Sequence, residues 1–211
     1  SPRPRAPPAH RGLGKHAMER AKMLTGLGYV AFAADLYGDR TIATNQEKMG
    51  KLLGELRSDP IKLRARAQAA LSTLAAQPQV DAKRLGAIGF CFGGATVLAL
   101  ARGGADMAGV VSFHGALETT APAQPGAVKA SVLVCNGADD PLIPPPHVVA
   151  FEEEMRKAGA DWQVINYGGT LHSFTNPEAE AAGMAALRYN KQTDQRSWAA
   201  MTSFFAEVFA R

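Results

Sequence analysis

Apolar positions in this chain fall by turns into short unbroken runs and into runs spaced three or four apart, the signatures of buried strands and one-sided helices. From Gly14 to Leu27 the residues Met18, Ala21, Met23 and Leu24 predict a helical face, closed by Gly26 and Gly28. Tyr29-Val30-Ala31-Phe32-Ala33-Ala34 predicts a strand, left through the loop Asp35-Leu36-Tyr37-Gly38-Asp39-Arg40. Residues 45 to 57 read as a helix interrupted by Gly50 and Gly54, and a second helix runs from Asp59-Pro60, an N-cap and a first-turn proline, to Gln77 before Pro78. Further strands are predicted at Leu85 to Phe90, Ala108 to Phe113, Ser131 to Cys135 and Trp162 to Tyr167, with helices after the first of these, from about Pro146 to Ala158, and at the C-terminus. In the last helix Trp198, Met201, Phe205 and Val208 recur at spacings of three, four and three, which predicts a buried face. Strands alternating with helices predict an α/β fold, a mostly parallel sheet with helices on both faces. Nothing in the pattern repeats.

One stretch breaks the rhythm. The run Leu85-Gly86-Ala87-Ile88 ends abruptly in Gly89-Phe90-Cys91-Phe92-Gly93-Gly94, and helical spacing follows at once. Strand, tight turn and helix with a nucleophilic side chain at the corner make a nucleophile elbow, here carrying a thiol. Gly89, Gly93 and Gly94 are expected to leave room around the corner. The start of the helix aims backbone N–H groups at the sulfur, which favours thiolate. Cys135, inside Val132-Leu133-Val134-Cys135, has no turn beside it and reads as packing.

Length, charge and cysteine content narrow the setting. With 211 residues the chain suffices for one domain with a sizeable core, expected over residues 12 to 211. Residues 1 to 11 hold four prolines and no apolar pattern, and read as an extended tail. Two cysteines make no disulfide framework, no run approaches the roughly 20 apolar residues that span a bilayer, and no secretory leader follows Ser1, so a cytoplasmic location is expected. The net charge is +4, but bases are mixed with acids, as in Glu152-Glu153-Glu154-Met155-Arg156-Lys157, and no basic stripe with interleaved aromatics suggests nucleic acid. Neither a nucleic-acid nor a membrane partner is expected, and the chain is expected to be a monomer or weak homodimer.

A thiol on an elbow needs a base to take its proton and a third group to orient that base. In α/β-hydrolase folds these follow in the order nucleophile, acid, histidine, on loops at the carboxyl ends of successive strands. Here Cys91 is followed by Asp139-Asp140 after the Cys135 strand and by His172 after the Tyr167 strand. Asp139 and Asp140 compete for the acid; the spacing from Gly137 and the following Pro141 favour Asp140, with Asp139 a solvated neighbour. His114 also ends a strand, but it precedes the acid and reads as pocket lining or structure rather than base. His10, His16 and His147 stand in loop or surface contexts and are expected to be solvated. No histidine and acid spacing suggests a metal.

Together the Gly-Phe-Cys-Phe-Gly-Gly elbow, Gly137-Ala138-Asp139-Asp140-Pro141, His172-Ser173-Phe174, Gly28-Tyr29-Val30-Ala31 and Asp35-Leu36-Tyr37-Gly38 resemble the dienelactone hydrolase family from about Gly12 to the C-terminus. The resemblance implies an α/β-hydrolase fold and a Cys91, His172, Asp140 triad. It implies a small-molecule ester or lactone as substrate, cleaved through an acyl-thioester with neither metal nor organic cofactor. It further implies an oxyanion hole with one donor from the N–H of Phe92 and the second near His10, and substrate contacts from Arg40, Tyr37 and Ser173.

Two places depart from the family pattern. Family members carry an apolar strand before the loop that ends here in Gly12-Leu13, and a glutamate in that loop that contacts the resting thiol; Ala9 stands at the matching place. N-terminal strands are therefore expected to be missing, one of them between the Tyr29 run and the elbow strand, and residues 1 to about 11 are expected to be a non-native start. Where the family holds a substrate carboxylate with an arginine four places after the histidine, Asn176 stands here. Two other readings stay open. One is a catalytically impaired or binding-only fold; the other is a thiol amidotransferase-like enzyme, whose elbow is similar but whose histidine precedes its acid.

Overall fold

The computed structural model describes residues 14–39, 41 and 46–211. In it four of the apolar runs become neighbouring parallel strands: Gly86–Phe90 (β1), Gly109–Phe113 (β2), Ser131–Gly137 (β3) and Trp162–Tyr167 (β4), in the order β1-β2-β3-β4. Gly89 lies opposite Ser112, Phe113 opposite Cys135, and Gly137 opposite Tyr167, so all four strands end at one edge. Every residue of β2 and β3 is buried, as their largely apolar sequences predict of strands covered on both faces.

The covering helices are placed by side-chain alternation along the strands. Gly86 and Gly109 face Phe204, Phe205, Val208 and Phe209 at the end of the chain, whereas Gly89 and Ser112 face Gly93 and Gly94 at the start of the helix after the elbow. That helix, Phe92–Arg102 (α4), and the last one, Lys191–Val208 (α6), thus lie on opposite faces of the sheet. Met201, Phe205 and Val208 of α6 are buried as their spacing predicts, each burial contributing about 1.5–3 kcal/mol before entropic costs. Pro145–Ala158 (α5) returns the chain from β3 to β4 and stops at Gly159, whose φ of +67° suits a residue without a Cβ.

The chain divides into two compact units, one ending at Ala82 and the other spanning Lys83–Arg211; the sheet belongs wholly to the second. The first contains Lys15–Gly26 (α1), Gln46–Arg57 (α2) and Pro60–Ala75 (α3). Asp59 caps α3 by accepting the Lys62 N–H at 2.9 Å, with Pro60 in the first turn, as the sequence predicts. The tail expected over residues 1 to 11 lies outside the described residues.

Two expectations change in the first unit. Tyr29 to Ala34 forms no strand, and Val30 and Phe32 are 43% and 48% exposed. An apolar run becomes a strand only where a neighbour supplies N–H and C=O partners, and no described residue pairs with this one. In α1 the predicted face is not the buried one: Met18 and Met23 are exposed while His16 and Arg20 are buried. Arg20 Nε donates to His16 Nε2 at 3.4 Å and its Nη1 reaches Met23 Sδ at 3.7 Å, so the buried guanidinium keeps polar partners. His16 is therefore a buried residue rather than the solvated one expected.

Candidate active site

β1 ends at Phe90, and the chain turns into α4 over Cys91, held at φ +53° and ψ −115°. A non-glycine residue there costs about 1–3 kcal/mol. Its surroundings hold it in place: the Cys91 N–H is shared between the Phe113 carbonyl at 3.0 Å and His114 Nδ1 at 3.1 Å, and the Ala95 N–H reaches the Cys91 carbonyl at 3.2 Å. A Cβ on Gly89 would sit 2.0 Å from the Gly93 carbonyl oxygen, and one on Gly94 2.6 Å from Ser112 Oγ, so both positions require glycine. Gly93 does not: a Cβ there meets nothing within 4 Å. Its backbone is what crowds Gly89, and its own side-chain direction is open, which corrects the expectation that all three glycines make room.

Asp140 and His172 are brought together where β3 and β4 end. A Cβ on Gly137 would lie 2.4 Å from the Thr170 carbonyl oxygen, so glycine at the exit of β3 lets the loop after β4 pass directly over it. The Asp139 N–H donates to that same carbonyl at 3.1 Å. Asp140, 2% exposed, accepts the Leu142 N–H on Oδ1 at 2.8 Å and turns Oδ2 toward His172 Nδ1 at 2.6 Å. Asp139 is exposed. The His172 backbone is pinned on both sides, its N–H donating to Ala186 and its carbonyl accepting from Arg188, each at 3.0 Å. Its other ring nitrogen, Nε2, lies 3.2 Å from Cys91 Sγ.

The line Asp140, His172, Cys91 has a definite electrostatic sense. Burial disfavours the imidazolium, but the hydrogen bonds to Asp140 and Cys91 and the negative charges of both outweigh it, and the His172 pKa is held up at about 10. At that value the imidazole carries its second proton at neutral pH, between Cys91 Sγ and the Asp140 carboxyl. Cys135 is the opposite case. Fully buried in β3, its thiol is pushed up to about 12 by burial, which a hydrogen bond from Tyr167 only partly offsets, and it stays an inert packing residue as its sequence context predicts.

The remaining expected site residues divide. Phe92 opens α4, where helical N–H groups have no acceptor within the helix. Ser173 follows the histidine at φ +59° and is buried. Tyr37 belongs to the first unit, in a turn whose N–H groups at Tyr37 and Gly38 donate to Asp35 Oδ1 and whose carbonyls at Leu36 and Tyr37 accept from Arg66. His10 and Arg40 lie outside the described residues. Asn176 accepts the Glu178 N–H on Oδ1 at 3.0 Å and so serves as a turn former. His147 lies 3.2 Å from Glu118 at the surface. Among the described residues no group of three or more His, Cys, Asp or Glu is placed to hold a metal ion. None of their helices is long and apolar enough to cross a membrane. His114, read from the sequence as pocket lining or structure, is 1% exposed, with its ring against both the elbow and His172.

Comparison with known proteins bears on the family to which the chain belongs. A Caenorhabditis elegans protein of uncharacterized function is 39% identical over 154 residues, 71% of this chain and 96% of that protein. A Yersinia pestis protein provisionally named a carboxymethylenebutenolidase is 27% identical over 207 residues, 93% of this chain and 74% of its own. Among solved structures, one named m3DLH superposes with a TM-score of 0.89 at 49% identity, covering 95% of this chain and 83% of the other. A dienelactone hydrolase-like promiscuous phosphotriesterase from metagenomic libraries gives 0.87 at 42% identity, covering 94% and 83%. The model of the dienelactone hydrolase family matches residues 8–209, and with the elbow, the acid turn and the histidine loop in place, this chain belongs to that family.

Proposed function

We propose that the protein hydrolyses small esters or lactones with Cys91 as nucleophile, His172 as proton carrier and Asp140 as the carboxylate that orients it. The observation that carries this reading is the unbroken line of contacts, 3.2 Å from Sγ to Nε2 and 2.6 Å from Nδ1 to Oδ2, within hydrogen-bond reach at both steps. The thiolate adds to the substrate carbonyl, the C–O bond to the leaving alkoxide breaks, and the imidazolium gives that alkoxide its proton. A thioester on Cys91 and a neutral His172 result. His172 then takes a proton from water, the hydroxide adds to the thioester carbon, and the C–S bond breaks to release the carboxylic acid and restore the thiolate and imidazolium. The N–H of Phe92 at the start of α4 supplies charge stabilisation for the oxyanion, and Ser173 is the proposed substrate contact beside the base.

Wild type and Cys91→Ala compared on p-nitrophenyl acetate and on a small lactone test this. Loss of turnover with an unchanged circular dichroism spectrum is expected; equal rates would remove Cys91 from the mechanism. A second reading extends the same centre to phosphotriesters, on the strength of the 42% identity with the promiscuous phosphotriesterase. Release of p-nitrophenol from a dialkyl p-nitrophenyl phosphate by wild type but not by Cys91→Ala would establish it, and no release above buffer would end it.

A further inference from the structure

His114 stands just past the end of β2, 1% exposed and at φ +41°. Neither ring nitrogen is idle. Nδ1 is 3.1 Å from the backbone nitrogen of Cys91, and Nε2 is 2.8 Å from Thr175 Oγ1, itself on a residue 1% exposed. A peptide N–H can only donate, so Nδ1 must offer a lone pair and the ring proton of a neutral imidazole sits on Nε2, where the threonine hydroxyl accepts it. The ring also lies edge-on to His172, 5.1 Å between centroids, and to Phe174 at 5.0 Å.

We propose that His114 is a positioning residue of the thiol site, a neutral imidazole protonated on Nε2 that ties the strained nucleophile corner to the loop bearing the base. The proposal rests on the assignment of Cys91 and His172 as nucleophile and base. One side of the ring holds the backbone of Cys91; the other holds Thr175, three residues beyond His172. With the Phe113 carbonyl, which shares the Cys91 N–H, the ring thereby helps to fix the separation of Sγ and Nε2, its own nitrogens bonded to the Cys91 backbone and to Thr175. Among the described residues, Cys91 from the elbow and His172, with Asp140 behind it, from the loops after β4 and β3, are titratable groups near the ring. A second proton on Nδ1 would displace the Cys91 N–H and set a second cation beside the His172 imidazolium, so the geometry opposes protonation of His114 while the site is assembled.

The test compares His114→Phe, His114→Asn and Thr175→Val with wild type and Cys91→Ala in the whole chain, by the acylation burst with p-nitrophenyl acetate. Phe keeps the bulk and loses both bonds, and a nucleophile displaced by about 1 Å costs about 10²-fold in the acylation rate, with KM little changed. Asn tolerates a positive φ and presents Oδ1 where Nδ1 stood, so it is expected to recover most of the rate. Thr175→Val leaves Nε2–H without its acceptor and is expected to slow acylation about tenfold, the equivalent of one neutral hydrogen bond. In the 15N imidazole spectrum, the resonance that disappears in His114→Asn should be that of a neutral, Nε2-protonated ring from pH 6 to 9. Should His114→Phe fail to fold, Thr175→Val and the wild-type spectrum decide. Wild-type acylation in folded His114→Phe or in Thr175→Val, or a proton on Nδ1 at pH 7, would overturn the proposal. Full turnover by Cys91→Ala would instead overturn the assignment of the nucleophile, whatever the His114 variants do.

Discussion

Asp140 does two things with one carboxylate: Oδ1 closes its own turn by accepting the Leu142 N–H, and Oδ2 holds His172. Its hydrogen bond and its charge both act to raise the His172 pKa. In Asp140→Asn the charge is gone and the bond weakened, so the imidazolium gives up its proton at lower pH. The alkaline limb of kcat/KM for a lactone, whose leaving alkoxide must be protonated, should therefore move down from about 10, and the rate should fall about 10²-fold or more. Asp139→Asn should leave both unchanged, and a limb unmoved by Asp140→Asn would mean the wrong acid. Cys91, Asp140 and His172 are legible in the sequence because each stands a few residues past the end of an apolar run, and a parallel sheet delivers such positions to one edge. His114 is legible only in part. Its place after Phe113 says that it ends a strand beside the elbow, but its bonds depend on Thr175, 61 residues away, and on a positive φ that no local pattern signals.

Among the elements, the elbow is the one whose sequence and structure agree most closely, and the three glycines show where the agreement stops. Gly-rich spacing identifies the corner, yet only geometry tells which glycine is crowded by backbone and which merely stands nearby. Gly89→Ala would drive a Cβ into the Gly93 carbonyl at 2.0 Å. No rotamer relieves a clash with backbone, so a loss of about 3 kcal/mol or more is expected, at the upper end of overpacking, together with loss of activity. Gly93→Ala meets open space in the first turn of α4, and Ala gains up to about 1 kcal/mol over Gly in a helix. Thermal melts of the two variants should move in opposite directions; a stable Gly89→Ala would mean the corner is looser than drawn. The Tyr29 to Ala34 run shows the converse limit. Its composition is that of a buried strand, but composition is silent on whether a neighbouring ladder exists, and the described residues contain none. The same holds for α1, where spacing predicts a helix correctly and its buried face wrongly.

At the scale of the molecule, the sheet converts its own stability into the placement of the site. The fully buried β2 and β3 deliver His114 and Asp140, the elbow hangs from β1, and His172 arrives after β4, so Cys91, Asp140 and His172 all lie within Lys83–Arg211. Alternating strands and helices make that order readable in advance; the division of the chain at Ala82 is not, because it depends on contacts between distant residues. Linking three strand ends through one imidazole makes stability depend on its proton. The His172 pKa lies near 10 in the folded protein against 6.5 for a free imidazole, so the folded state binds the proton more tightly than the unfolded chain does. The stabilisation is therefore fully present below about 6.5 and is lost as pH rises through about 10. Asp140→Asn lowers the folded pKa and so forgoes part of it at low pH, but has nothing left to forgo once wild type has also lost the proton. Urea midpoints of the two proteins at pH 6, 8 and 10.5 should accordingly differ most at pH 6 and converge at pH 10.5. A gap that stayed constant with pH would show that His172 carries no extra proton in the fold, and with it the resting thiolate–imidazolium pair would fall.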